Sequence, residues 1–344
     1  MTKADDYLLE FSNAIVNVIF KELKGEKDEP EIQEVMPLLL FKTMLDKIHA
    51  IKLLVDTEES RVGENTFSIA RTITECKWCL LYMIKSDTHF RARAYYYFSR
   101  LDEAKTQVAK LKYLKSVTQG HLNNRNQDLA RLVDIMNEYD KAIEEDIVKA
   151  SEISYNAGVT LEDLNAGIKP TDIFKEKHEI LNNYITDLST QIVEIDKRIQ
   201  EYERRISTLR SNSTYADIRK EIGKLPKKPK KLRKFPTWYS LKEHISSVRK
   251  LTEHLGLVDE YDGIYGTYSQ DIHILNATKQ IRLIEDKAVL KDEDSSSTNA
   301  EALESYSFSM TVLSSVVGDF LTHYGKDVQK KQLKESMAKL YLKK

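Results

Sequence analysis

FKEKHEILNNYITDLSTQIVEIDKRIQEYERRISTL, residues 174–209, is the stretch that decides the fold. Within it Phe174, His178, Leu181, Ile185, Leu188, Ile192, Ile195, Ile199, Tyr202, Ile206 and Leu209 follow one another at alternating spacings of four and three. A repeat averaging 3.5 residues keeps one stripe of a slightly underwound helix turned toward a partner helix. The stretch therefore predicts a coiled-coil seam. The nearest partner is the preceding helix of the same chain, folded back antiparallel, and a second copy of the chain is the other candidate.

The flanks support a long inserted arm. Upstream, Asn126–Ile153 is also charged and periodic, and Asn156-Ala-Gly158 and Asn165-Ala-Gly167 read as glycine helix ends. Downstream, KLPKKPKKLRKFP (224–236) carries three of the six prolines and seven basic residues. Proline removes backbone donors and disfavours helix before it, so this stretch reads as an extended basic linker. Lys227, Lys228, Lys230, Lys231, Arg233 and Lys234 are candidate contacts to nucleic-acid phosphates. The alternative is a solvated spacer kept open by its own repulsion.

Outside the arm the pattern is that of a helical bundle. Helices are expected at 4–24 (Leu8, Phe11, Ile15, Val18 and Ile19 on one side), 34–56, 64–86 and 88–118, with Asp87 as a cap. Ser240-Leu-Lys-Glu243 and Thr298-Asn-Ala-Glu301 have the form of capping boxes, and Asp259 opens a helix expected to reach about Asp286. Eleven glycines and six prolines in 344 residues are too few for many short strands joined by tight turns. The expected class is all-α, with a body of residues 1–118 and 236–344, a coiled-coil arm at 119–223 and the linker at 224–236.

A net charge of −1 supplies no global field for nucleic acid or membrane. No apolar run approaches the ~20 residues of a membrane span, and Met1–Asp6 is too polar to open a cleavable signal. With only two cysteines, a cytoplasmic protein without membrane partner is expected. Cys76-Lys-Trp-Cys79 lacks a second pair to complete a zinc site, so it reads as core, and no metal or cofactor is expected. Phosphate-binding glycine loops and nucleophile elbows are absent. Arg249-Lys-Leu-Thr-Glu-His254 has the Arg–His spacing of HEPN ribonucleases, but about one such match is expected by chance in a chain with this composition.

Two helices carry a more specific pattern. Arg71 and Glu75 stand at i, i+4 among Phe67, Ile69, Ile73, Trp78, Leu80 and Leu81. Far downstream, Tyr261, Tyr265, Ser269 and His273 recur every four residues and share one helical stripe. Charges on apolar helices need partners, so the two helices are expected to face each other across one polar cluster. Arg71-x-x-x-Glu75, Arg93-Ala-Tyr-Tyr-Tyr97, Trp238 and the Tyr261–His273 stripe together resemble a bacterial family called domain of unknown function 5677. The resemblance covers roughly 35–105 and 236–285 and implies an all-helical body without an established activity.

The cluster is either a buried network that locks helix register or a site in which His273 moves protons, Arg71 grips a phosphate or carboxylate, Glu75 orients and Ser269 hydrogen-bonds. Three classes of function follow. One is a toxin-like or phage-defence effector acting on RNA or a nucleotide. The second is a non-catalytic protein that dimerises or recruits a partner through the arm. The third is a nucleic-acid-binding accessory.

Overall fold

The computed structural model describes residues 2–26, 30–56, 63–145, 147–156, 158–160, 163, 169–225, 237–265, 281–284, 287–290 and 295–342. Its elements are α1 (Lys3–Glu26), α2 (Ile32–Asp56), α3 (Gly63–Lys85), α4 (Thr88–Glu145), α5 (Ile147–Asn156), α6 (Pro170–Ser211), α7 (Ala216–Lys224), α8 (Ser240–Glu243), α9 (Val248–Leu255), α10 (Val258–Glu260), β1 (Ile281–Ile284), β2 (Lys287–Leu290), α11 (Ser295–His323) and α12 (Asp327–Leu342). The fold is all-α, and the described residues include a small antiparallel hairpin in which Ile281 pairs with Leu290 and Ile284 with Lys287. Two compact units divide the chain: Met1–Phe98 with Thr214–Lys344, and Ser99–Ser213.

In the first unit α2, α3 and α11 pack on one another, and α1 lies on α2 and α12. The core they enclose is apolar and close-packed. Phe41, Met44, Leu45 and Ile48 of α2, Ile73, Trp78, Leu80 and Met83 of α3, and Leu313, Val316 and Phe320 of α11 are fully buried. Phe41 and Phe320 stack with centroids 3.9 Å apart and planes 9° from parallel, worth about 1 kcal/mol beyond the area they bury. Polar ties fix the same helices. The Thr66 hydroxyl donates to Ser305 Oγ at 2.8 Å, and Tyr324 OH donates to the Glu34 carbonyl at 2.6 Å. On α1 the buried stripe is Leu8, Leu9, Ser12, Ile15, Val16 and Ile19. Val18, expected on the apolar side, is 42% exposed because the stripe is turned toward Leu9 and Val16.

In the second unit α4 and α6 run antiparallel. Leu111 and Val108 pack with Ile195, Ile199 and Tyr202, and Leu132 and Tyr139 with Phe174 and Leu181. Lys112 Nζ meets Glu203 at 3.0 Å, Lys115 Nζ meets Asp196 at 2.6 Å, and the Arg125 guanidinium lies over the Tyr184 ring. All eleven residues of the 174–209 stripe are buried or half-buried, while most others in the stretch are exposed. The stripe therefore faces the same chain. Pro170 opens α6, where its missing N–H costs nothing. α5 ends as expected at Gly158, whose φ of +78° suits a residue without Cβ.

Three local expectations are corrected. α4 continues without a break through 118 to Glu145, since its polar middle contains no proline and only one glycine. Ser240 is not a cap: its hydroxyl donates to the Thr237 carbonyl, and Ser247, accepting from Lys250 N–H at 3.2 Å, caps the next helix. A single helix from Asp259 to Asp286 is replaced by the short α10, a π-helical turn at Tyr261–Tyr265, and the strand β1. β1 (Ile-Arg-Leu-Ile) has one polar residue within an apolar run and β2 (Lys-Ala-Val-Leu) does not alternate, so neither gives a period-2 signal long enough to be read as a strand.

Candidate functional site

α3 is the axis of the candidate site. Arg71 Nε donates to Glu75 Oε1 at 3.1 Å, one helical turn apart, with the side chains 24% and 40% exposed. An i, i+4 ion pair contributes about 0.3–0.5 kcal/mol to its helix. Ser269 and His273 lie outside the described residues, as do Lys227, Lys228, Lys230, Lys231, Arg233 and Lys234.

Further along α3 the downstream segment docks through polar groups. Lys77, whose side chain is only 3% exposed, places Nζ 2.5 Å from Glu260 Oε1. Trp78 Nε1 donates to the other Glu260 oxygen at 3.1 Å, and the Trp78 ring faces Tyr261 with centroids 6.0 Å apart. Toward the end of the helix, Lys85 Nζ donates to the His254 carbonyl at 2.9 Å. As the chain advances from His254 to Tyr261, its contacts on α3 thus move back from Lys85 to Lys77 and Trp78. The segment runs antiparallel to α3.

A second polar group was not anticipated. Arg91, 4% exposed, donates through Nη2 to Glu243 Oε1 and through Nη1 to the Tyr82 carbonyl. Its guanidinium carbon lies 3.9 Å from the centroid of the Tyr82 ring, and Tyr82 OH donates to Glu243 Oε2. Arg91 Nε is buried and has no hydrogen-bond partner among the described residues. Burial pushes the Glu243 carboxyl upward, but the hydrogen bonds from Tyr82 and Arg91 and the guanidinium charge hold it below the ordinary carboxylate value. Burial, with the acceptor carboxylate, raises Tyr82 well above an ordinary phenol. Trp238 closes this group edge-on, 5.1 Å from both Tyr82 and Tyr95. The signal for Arg91 was present: it falls in the apolar stripe of Phe90, Ala94, Phe98 and Leu101. Its partner Glu243 stands 152 residues away, where the sequence has the form of a capping box.

The remaining motifs take structural roles. Burial raises the Cys76 thiol to about 11 and raises Cys79 further, so neither is a thiolate nucleophile near neutral pH. Among the described residues no group of three or more His, Cys, Asp or Glu is placed to hold a metal. Arg249 turns to Asp262, with contacts of 2.9 and 3.1 Å, and the His254 ring packs edge-on against Tyr82. Burial, then the Lys85 charge, holds His254 below the ordinary histidine value.

These elements define an all-α protein in which polar groups of α3 and the start of α4 meet segments from late in the sequence. The chain belongs to the family of unknown function DUF5677, which matches residues 34–288, from the first turn of α2 into β2. The matched span includes the α4–α6 region, beyond the two stretches that carry the resemblance. No curated protein and no solved structure matches the chain. Among the described residues no helix is long and apolar enough to cross a membrane.

Proposed function

We propose that the protein is a cytoplasmic effector, toxin-like or antiviral, that acts on RNA or a nucleotide through Arg71, Glu75, Ser269 and His273. The observation that carries this reading is the antiparallel docking of the segment that leads into the Tyr261–His273 stripe. His254 meets Lys85, and Glu260 and Tyr261 meet Lys77 and Trp78. Ser269 and His273 follow this segment in the sequence, and in this reading they work with Arg71. Arg71 then offers a planar guanidinium to a phosphate, and Glu75 releases or orients it. His273 is the general acid or base, because its ordinary pKa near neutrality suits it to transfer protons in either direction. Ser269 donates a hydrogen bond to the same phosphate. The basic residues Lys227, Lys228, Lys230, Lys231, Arg233 and Lys234 hold the flanking phosphates of an RNA.

The test is turnover by purified protein, assayed against RNA and against nucleoside triphosphates. Wild-type protein is expected to degrade one of the two, and Arg71→Gln to lose on the order of 100-fold, as when a phosphate-stabilising donor is removed. Equal turnover by both proteins, or none by either, overturns the reading. A second reading, dimerisation or recruitment through a coiled-coil arm, has less support. The stripe that would receive a partner already packs against α4 of its own chain.

A further inference from the structure

The antiparallel pair of α4 and α6 has two flanks beside its seam, and the contacts fix which residues stand on each. Leu111 and Tyr202 belong to the seam, and the residues that follow them, Lys112 and Glu203, meet beside it at 3.0 Å. Residues one position after an inward residue therefore share one flank in both helices, and residues one position before share the other. On α4 this second flank carries Gln107, Lys110, Leu114, Val117, His121 and Asn124, at alternating spacings of three and four. On α6 it carries Asp187, Gln191, Glu194, Arg198, Glu201 and Arg205. Leu114 and Val117 are 45% and 39% exposed, an apolar pair in an otherwise polar stripe.

We infer that this flank is the interface of a homodimer in which a second copy lies antiparallel, Leu114 of each chain against Val117 of the other. That alignment uses only the two apolar residues, and the seam carries it over to α6, since Lys115 stands against Asp196 and Lys112 against Glu203. Arg198 then falls opposite Glu194 of the second copy, Arg205 opposite its Asp187, and Glu201 opposite its Gln191. Each of these cations meets an acid. On α4 the same alignment sets Lys110 against His121 and Gln107 against Asn124. A parallel arrangement sets α4 against α6 of the second copy at the same level, which places Val117 on Glu194 and Leu114 on Arg198.

The charged groups have neighbours in their own chain and still face solvent. Asp187 accepts from the Gln191 amide at 2.9 Å, Glu194 lies 4.0 Å from Lys197, the Arg205 guanidinium lies over the Tyr202 ring, and Asp187, Glu194 and Arg205 are all exposed. The contact spans residues 107–124 of α4 and 187–205 of α6, about 26 Å of two helices packed about 10 Å apart, or about 500 Å² per copy. Two copies together bury about 1,000 Å², the lower bound for a specific association, so a micromolar Kd is expected. The seam within the chain stays intact. The surface lies in the second unit and does not depend on the activity proposed for the first.

Sedimentation equilibrium of the full chain, from about 1 to about 200 µM, tests the inference. Wild type is expected to pass from monomer to dimer across that range. Leu114→Lys, Arg198→Glu and Glu194→Arg are each expected to weaken association about tenfold or more, because each sets a charge against an apolar residue or a like charge. Mixing the Arg198→Glu and Glu194→Arg proteins is expected to restore the dimer, since residue 198 of each copy then meets an opposite charge at residue 194 of the other. Val193→Lys, at a position 54% exposed on the opposite flank, is the control and leaves association intact. A wild type that stays monomeric throughout, a dimer unaffected by Leu114→Lys, a mixture no better associated than its two components, or a dimer lost in Val193→Lys overturns the inference.

Discussion

Glu243 serves two partners at once, and its loss has a calculable consequence. Glu243→Gln leaves Arg91, a charge 4% exposed, without its carboxylate. Breaking a buried pair on one side costs about 3 kcal/mol, somewhat less here because Glu243 is a quarter exposed. Chemical denaturation at neutral pH should show that loss, and a change below about 0.5 kcal/mol would mean that solvent replaces the pair. The pH dependence has a definite sign. The folded pKa of Glu243 lies below its ordinary value of 4.5, so its contribution is complete above that pH and is lost as pH falls through the folded value. Wild type should therefore lose stability more steeply than Glu243→Gln below pH 4.5. His323 acts earlier. Burial holds its pKa below 6.5, so the folded state binds fewer protons than the unfolded one, and stability falls as pH drops below 6.5. His323→Gln should flatten that first decline, and identical pH profiles would show that the ring titrates freely. None of these roles could be read with certainty from sequence. Arg91 sat visibly in an apolar stripe, but what neutralises it comes from a distant segment that local pattern does not reach.

Among the elements, α6 was legible and its partner was not. The apolar stripe of α6 repeats at 3.5 residues with few exceptions, whereas the facing side of α4 carries Lys115, Thr118 and Arg125 where apolar residues would have revealed it. Those polar residues set the pairing. Lys115 and Asp196, both about two-fifths exposed, form contacts of 2.8 and 2.6 Å that exist only in one register. Lys115→Glu should lower stability by about 0.5–1 kcal/mol through repulsion with Asp196, and adding Asp196→Lys should restore most of it. A double-mutant cycle with no coupling would show that the pair is incidental. The β1–β2 hairpin was missed for a related reason. Four-residue strands give too little alternation to override a helical expectation formed from the residues around them.

For the molecule as a whole, the all-α class followed from the scarcity of glycine and proline and the sustained 3.5 repeat, and the family motifs turned out to be neighbours. Trp238 meets Tyr82 of α3 and Tyr95 of α4, and Tyr261 meets Trp78 of α3. The two-unit division makes an architectural prediction. Tyr97 packs on Tyr215 with centroids 5.2 Å apart, and Arg93 holds Asp217 and the Thr214 carbonyl, so the chain leaves and re-enters the first unit at adjacent points. Replacing 99–213 by a short Gly/Ser linker should leave a protein that melts cooperatively, and an insoluble or molten product would show that the first unit needs the second. The proposed roles of Arg71, Glu75, Ser269 and His273 are tested by His273→Ala, measured for melting temperature and for toxicity on induced expression in the same cells that carry the wild type. Wild-type expression is expected to be toxic, and the variant to abolish toxicity with melting shifted by less than about 2 °C, as when a functional group is removed from a site that does not hold the fold. A variant that melts several degrees lower while toxicity persists, or a wild type that is harmless at high expression, would contradict it.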